Sequence, residues 1–235
     1  MRSFQFGALI ALRLNFWIVL GSMIGFGSMA QSVDLNLSIA LAATLGIWGM
    51  PGQVAMIELL SIGAPLLAIV SASSLANLRF MPMMVVMMPL FKNNNNAYNL
   101  RFLIAQVMSI NIWSITMLKV PNLAINERLP FYFGVSSVCL TGGIIGTTIG
   151  YFLAEKMPIY ITLSLVFLNP AYFIFVFSSV ENRNCIIAVI LGAFFGPIIH
   201  LFTPEWGTTV SGVIAGTSAF YLDQLFKNKR RNNNV

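Results

Sequence analysis

Gly63-Ala-Pro-Leu-Leu-Ala-Ile-Val-Ser-Ala-Ser-Ser-Leu-Ala-Asn-Leu-Arg-Phe-Met-Pro82 is an apolar stretch with one ionisable residue, Arg79. Nothing else ionisable lies between Glu58 and Lys92. The run Ile62–Phe91 is therefore longer than the roughly 20 apolar residues a membrane helix needs. A charge inside such a span costs at least ~2.5–3.5 kcal/mol on insertion scales, so as a rule it faces a partner, a cavity or a substrate. The stretch places the chain in a membrane and marks Arg79 as a candidate site residue.

The rest of the 235 residues agree, with 57% hydrophobic, 9% charged and a mean hydropathy of +0.82. A soluble domain carries roughly 25% charged residues. The expected fold is all-α, a polytopic integral membrane bundle of about seven helices. It reads as a single transmembrane domain over residues 1–235, with an Asn-rich loop at 92–100 and a basic polar tail at 227–235. Thirteen basic residues against seven acidic ones form no basic face, and flank spans instead, as orientation signals do. No nucleic-acid partner is expected. Met1–Leu12 reads as an interfacial lead-in, with the first membrane helix beginning near Leu14.

The apolar runs are Leu14–Ala30, Leu37–Leu60, Ile62–Phe91, Leu100–Val120, Phe131–Leu153, Ile159–Val180, Cys185–Phe202 and Thr208–Phe226. Three of them look broken or re-entrant. Leu37–Leu60 contains Gly46-Ile-Trp-Gly-Met-Pro-Gly52, Ile62–Phe91 carries Pro82 and Pro89, and Cys185–Phe202 has Gly192 and Gly196-Pro197. Proline removes an N–H and clashes with the preceding turn. Broken spans near mid-membrane are how many secondary transporters expose backbone dipoles to a ligand. The basic signals at Lys92 with Arg101 and at the tail enclose an odd number of runs, which makes Cys185–Phe202 the candidate for a partial crossing. The two halves of the chain show no sequence repeat, although an inverted structural repeat remains compatible with that.

Polar groups in these runs need partners. Arg79 has three readings: a guanidinium fork for a substrate carboxylate, a buried pair with Glu58, or an interfacial cation. Asn77, Gln53, Gly52 and Asn169 are the other candidate substrate contacts, and Glu58 is the candidate coupling acid. Asn111 reads as helix–helix glue. The glycines of Gly142-x3-Gly146-x3-Gly150 share a helix face and read as packing, as do Gly21-x3-Gly25 and Gly212-x3-Gly216. Cys139 and Cys185 have no metal-type spacing, and a single histidine, His200, cannot build a metal centre. No metal or cofactor is expected. The chain lacks G-x-x-x-x-G-K-[ST] and any Ser–His, paired-acid or His-Glu-x-x-His arrangement, so neither an ATPase nor an intramembrane hydrolase is expected.

Several motifs carry a resemblance. Trp48-Gly-Met-Pro-Gly-Gln-Val54, the quoted stretch ending in Asn77-Leu-Arg79, Gly146-Thr-Thr-Ile-Gly150, and Leu168-Asn-Pro-Ala-Tyr-Phe173 followed by Glu181-Asn-Arg-Asn184 occur in the order seen in AzlC-type permeases. Over residues 17 to 226 the chain resembles that family, the large subunit of branched-chain amino-acid exporters. It departs at Ser109-Ile-Asn-Ile-Trp113, where relatives carry acids. It departs too near Val166, at Gly52 in place of a serine, and at Phe80 in place of a histidine. The resemblance implies a secondary transporter subunit exporting small hydrophobic amino acids across a bacterial inner membrane. It also implies a small membrane partner of the AzlD type. The other reading is a membrane scaffold or receptor that does not transport.

Overall fold

The structure is a computed structural model that describes residues 2–78, 80–92, 99–178, 183–202 and 211–221, with part of the side chains in 169–202 outside that description. Arg79, most of the Asn-rich loop and the basic tail lie outside the described residues. Helices account for the fold: α1 (Arg2–Arg13), α2 (Asn15–Ser32), α3 (Leu37–Gly46), α4 (Met50–Ser61), α5 (Leu66–Asn77), α6 (Phe80–Met87), α7 (Arg101–Gln106), α8 (Ile110–Lys119), α9 (Ile125–Leu153), α10 (Ile159–Ser178) and α11 (Arg183–Phe202). Residues 211–221 are also helical, and no strand occurs among the described residues. The chain divides into two compact units, Met1–Ala171 and Tyr172–Val235.

In the second unit, Gly192 of α11 faces Ala215, whose Cβ lies 3.8 Å from where a glycine-replacing Cβ would stand. Ala215 and Ala219 are buried there.

The first unit is organised around α9. With 29 residues at 1.5 Å each it is about 43 Å long, and Ile125–Lys156 is long and apolar enough to cross a membrane by itself. Two bent pairs have the same capacity if each is one span: α1 with α2, bent by 58°, and α5 with α6, extended to Phe91 and bent by 44°. Large apolar side chains cover the outside, Leu67 at 80% exposure and Phe102 at 75% among them. An exterior this apolar is the surface of a membrane protein, because water would penalise it and lipid does not.

Glycines let the helices of this unit touch backbone to backbone. A Cβ on Gly150 would overlap the Ile24 carbonyl of α2, and one on Gly27 would overlap the Thr147 carbonyl of α9. Gly146 faces the Leu20 carbonyl at 2.5 Å from the same construction. Gly142, Gly146 and Gly150 are thus packing residues within the chain, as their spacing indicates. Gly21 and Gly25 pack against Leu168 and Val166 of α10, whereas Gly212 and Gly216 meet nothing within 4 Å. Buried hydroxyls join the same helices: Ser28 Oγ to Thr162 Oγ1 at 3.0 Å and Thr44 Oγ1 to Thr147 Oγ1 at 2.9 Å. Thr44 also donates to the Ala40 carbonyl at 3.0 Å. Hydroxyl bonds between membrane helices are individually weak. A Thr44→Val/Thr147→Val double-mutant cycle is expected to give a coupling near 0.6 kcal/mol, read from unfolding in mixed micelles.

The break in Leu37–Leu60 falls where the glycines and Pro51 place it, between α3 and α4. Two other expectations change. Cys185–Phe202 is not interrupted: α11 runs through Gly192, Gly196 and Pro197. The break instead divides Leu100–Val120, which holds no glycine or proline, into α7 and α8. Ser109 takes an extended conformation (φ −136°, ψ 171°) and accepts the Ile112 N–H as the cap of α8, a bond that competes with continuing the helix. In Ile62–Phe91 the bend lies between Asn77 and Phe80, while Pro82 sits in the first turn of α6 and Pro89 begins a 3-10 turn. The lead-in expected over Met1–Leu12 is itself a helix, α1, and α2 begins at Asn15, close to the expected Leu14. Gly7 lies against the Phe131 carbonyl and Gly134 against the Phe4 carbonyl, so α1 packs on α9.

Candidate functional site

The two interrupted segments meet. Helix α3 ends at Gly46, and α4 restarts at Met50 with Gly49 as its extended cap (φ −138°, ψ 113°) and Pro51 in its first turn. Proline is at home there because its missing N–H has no intrahelical acceptor in any case. Helix α7 ends at Gln106, and α8 restarts at Ile110 behind the Ser109 cap. Between the restarts lies a small cavity lined by Val19, Ser22 and Met23 of α2, by Trp48-Gly-Met50, by Phe80, and by Ser109-Ile-Asn111.

Trp48 ties the two breaks together. Its backbone is in the left-handed region (φ 46°), unusual for a bulky residue and worth about 1–3 kcal/mol of strain. The indole holds it there: Nε1 donates to the Val107 carbonyl at 3.0 Å, and the ring fills the notch at Gly143, where a Cβ would lie 2.7 Å from Cζ3. Gln106 answers from the other side. Its Nε2 donates to the Leu45 carbonyl at 2.9 Å and the Gly46 carbonyl at 2.7 Å.

The carbonyl ends of the broken helices are thereby engaged by side chains. Asn77 Nδ2 donates to the Ile47 carbonyl at 3.2 Å, and Tyr132 Oη donates to the Ile104 carbonyl at 2.7 Å. The N-terminal ends of α4 and α8 are turned to the cavity instead. A helix start presents first-turn N–H groups with no intrahelical acceptor and roughly half a positive charge. With the negative ends covered, the start of α4, which no side chain caps, and the first-turn N–H groups of α8 other than that of Ile112 make the cavity favour an anionic group such as a carboxylate. Val19, Met23, Trp48, Ile110 and Phe80 add an apolar wall beside it.

The expected site residues divide. Asn77 and Gly52 come together: a Cβ on Gly52 would lie 2.7 Å from Asn77 Nδ2, and Asn77 Oδ1 lies against Gly49. Ser73 fixes this contact, its hydroxyl donating to the Gly52 carbonyl at 2.9 Å. Gln53 is fully buried one residue further on, and its Nε2 reaches the Ala43 carbonyl at 3.5 Å. Among the described residues, Gln53 Oε1 and Asn77 Oδ1 are buried acceptors with no donor. Glu58 is exposed near the end of α4 and lines neither this cavity nor the wider space beside it. Arg79, and with it any pair between Arg79 and Glu58, lies outside the described residues. Asn169 falls in α10, with its side chain outside them too. Sequence reading missed Trp48, Gln106 and Ser109 as site builders. The signal available was three polar residues, Gln106, Ser109 and Asn111, within one apolar run.

The cavity admits the centre of a water molecule over only ≈ 20 Å³, room for about one water. A wider, more open vestibule of ≈ 410 Å³ is built from the same broken segments. It is lined by Gly46 and Ile47, by Ser73, Ser74 and Asn77, by Phe80, Met81 and Met84, and by Ala105, Gln106 and Met108.

The family model described as AzlC protein matches residues 16–157. That stretch runs from the start of α2 past the end of α9 and holds both helix breaks and the whole cavity lining. No curated protein and no solved structure matches the chain. With more than half of its residues matched in this way, the chain belongs to the AzlC family.

Proposed function

We propose that the chain is the large subunit of a secondary transporter, not an enzyme, that exports small hydrophobic amino acids, the branched-chain ones foremost. It works as a multi-pass protein of the bacterial inner membrane beside a small AzlD-type subunit. Family membership supports membrane transport as the general role. The observation that carries the rest is the paired helix restarts at Met50 and Ile110 on one cavity.

A zwitterionic substrate needs donors for its carboxylate, an acceptor for its ammonium and an apolar wall for its side chain. The restarts of α4 and α8 supply the donors, with Arg79 as the charged reinforcement that the sequence places two residues beyond Asn77. Asn77 Oδ1, buried against Gly49 at the cap of α4 and without a donor among the described residues, is the acceptor we assign to the ammonium; Asn77 lines the vestibule and not the cavity, so it meets the ammonium as the substrate enters. Val19, Met23 and Ile110 form the wall. The ≈ 20 Å³ left between them is far less than a leucine occupies, so this arrangement is a closed one and the substrate enters by a rearrangement about the breaks, as alternating access requires.

Uptake of labelled leucine, valine and methionine into inverted vesicles, with and without a proton gradient and with and without the small subunit, tests the reading. Leucine uptake above empty-vector vesicles is the expected result. Arg79→Ala is expected to lower it at least tenfold at equal membrane levels, a loss of about 1.4 kcal/mol or more in transport free energy. Intact uptake in Arg79→Ala would remove Arg79 from the site. Absence of uptake for every neutral amino acid would favour the scaffold or receptor.

A further inference from the structure

The small cavity and the vestibule share one lining residue, Phe80. It opens α6 beyond the bend with α5. Its ring packs on the cap of α4: a Cβ at Gly49 would lie 2.9 Å from Phe80 Cε2. On one side Phe80 borders the cavity with the two helix restarts, at ≈ 20 Å³. On the other is the ≈ 410 Å³ space, wide enough for an amino acid.

The surroundings of Phe80 differ in room. On the cavity side, Trp48 is fixed by its Nε1 bond to Val107 and by the Gly143 notch, and only ≈ 20 Å³ is free. On the vestibule side stand Met81, Met84 and Met108 around ≈ 410 Å³, so a rotating ring finds space there and not in the cavity. An aromatic ring is also a low-entropy plug, since only two torsions place it.

We propose that the Phe80 side chain is the gate between the vestibule and the substrate cavity, closed in this structure and opened by rotation of its ring toward Met81, Met84 and Met108. The assignment rests on the cavity being the substrate site, but the barrier itself can be measured without any substrate.

The experiment is thiol accessibility in the full-length protein, purified in detergent with Cys139 and Cys185 replaced by alanine. Ser22→Cys reports the cavity and Ser74→Cys reports the vestibule. A small cationic methanethiosulfonate is the probe. Ser22→Cys is expected to react at least tenfold slower than Ser74→Cys when Phe80 is present. Adding Phe80→Ala, which merges the two spaces, is expected to raise the Ser22→Cys rate at least tenfold and to leave the Ser74→Cys rate within twofold. Phe80→Leu should fall between, and it carries the test if the alanine variant does not fold. Phe80→Trp should slow the Ser22→Cys reaction further. An unchanged Ser22→Cys rate in both Phe80→Ala and Phe80→Leu, with Ser74→Cys still reactive, would overturn the gate. If the gate behaves as expected and no amino acid is transported, the proposed function fails and the gate stands.

Discussion

Replacing Trp48 by alanine is expected to destabilise the protein by about 3–5 kcal/mol, the range for truncating a buried Trp, and to abolish transport. The indole is 3% exposed, fills the Gly143 notch and supplies the donor for the Val107 carbonyl at 3.0 Å. Its removal leaves a void and a buried carbonyl with no donor, and it takes away the ring that anchors a left-handed backbone. Trp48→Phe is the milder change. It keeps an aromatic ring but loses the Nε1 donor and the ring edge at Gly143, so at least about 1–3 kcal/mol is expected, the cost of an unsatisfied buried acceptor alone. Thermal unfolding in detergent, followed by size-exclusion chromatography with fluorescence detection, checks both. Equal melting temperatures for wild type and Trp48→Phe would remove the hydrogen bond as the tie between the two breaks.

Gly150→Val is expected to prevent accumulation of the folded protein. A side chain at position 150 begins inside the Ile24 carbonyl of α2. The obstacle is backbone, so no rotamer change relieves it, and α2 and α9 must separate along their whole contact. Overpacking of a tight core costs about 1–3 kcal/mol and sometimes more; here the upper end or beyond is expected, because Gly27 and Gly146 depend on the same close approach. Gly216→Val is the control, since a Cβ there meets nothing within 4 Å. The monodisperse yield after solubilisation is the readout. A yield for Gly150→Val equal to that of Gly216→Val would mean that the α2–α9 contact is not what holds the first unit together.

The fold was readable where one physical signal dominated. Apolar length located α9 and α2, and glycine spacing identified the face of α9 on which another helix, α2, packs. The Gly-Met-Pro-Gly cluster located the first helix break, because each of those residues disfavours a continuing helix by its own backbone chemistry. The same rule failed at α11. Gly196-Pro197 is tolerated there, since a proline in a membrane helix need not end it when neighbouring groups take up the freed carbonyl. It failed in the opposite sense at Val107-Met-Ser109, where neither glycine nor proline marks the break. That interruption is held by tertiary partners far away in sequence: Trp48 on the Val107 carbonyl, Tyr132 on the Ile104 carbonyl and Gln106 on the end of α3. Spacing along one strand of sequence cannot register such bonds.

The candidate site was half readable for the same reason. Asn77 and Gly52 stand out as a polar residue and a small one in apolar surroundings, and they do pack against each other. Glu58 stands out equally as the nearest acid, yet it is exposed and away from the cavity. One-dimensional proximity to Arg79 carried no information about the face of α4 on which Glu58 stands.

The central claim is that the helix restarts at Met50 and Ile110 hold the substrate. Substrate protection of the Ser22→Cys variant, with Cys139 and Cys185 replaced by alanine, tests it most directly. Saturating leucine is expected to slow methanethiosulfonate modification of the Ser22→Cys variant severalfold, with valine and methionine acting alike and lysine and glutamate having no effect. Modification at the same rate with and without leucine, in protein that still catalyses leucine counterflow, would contradict the claim and move the substrate site away from the paired breaks.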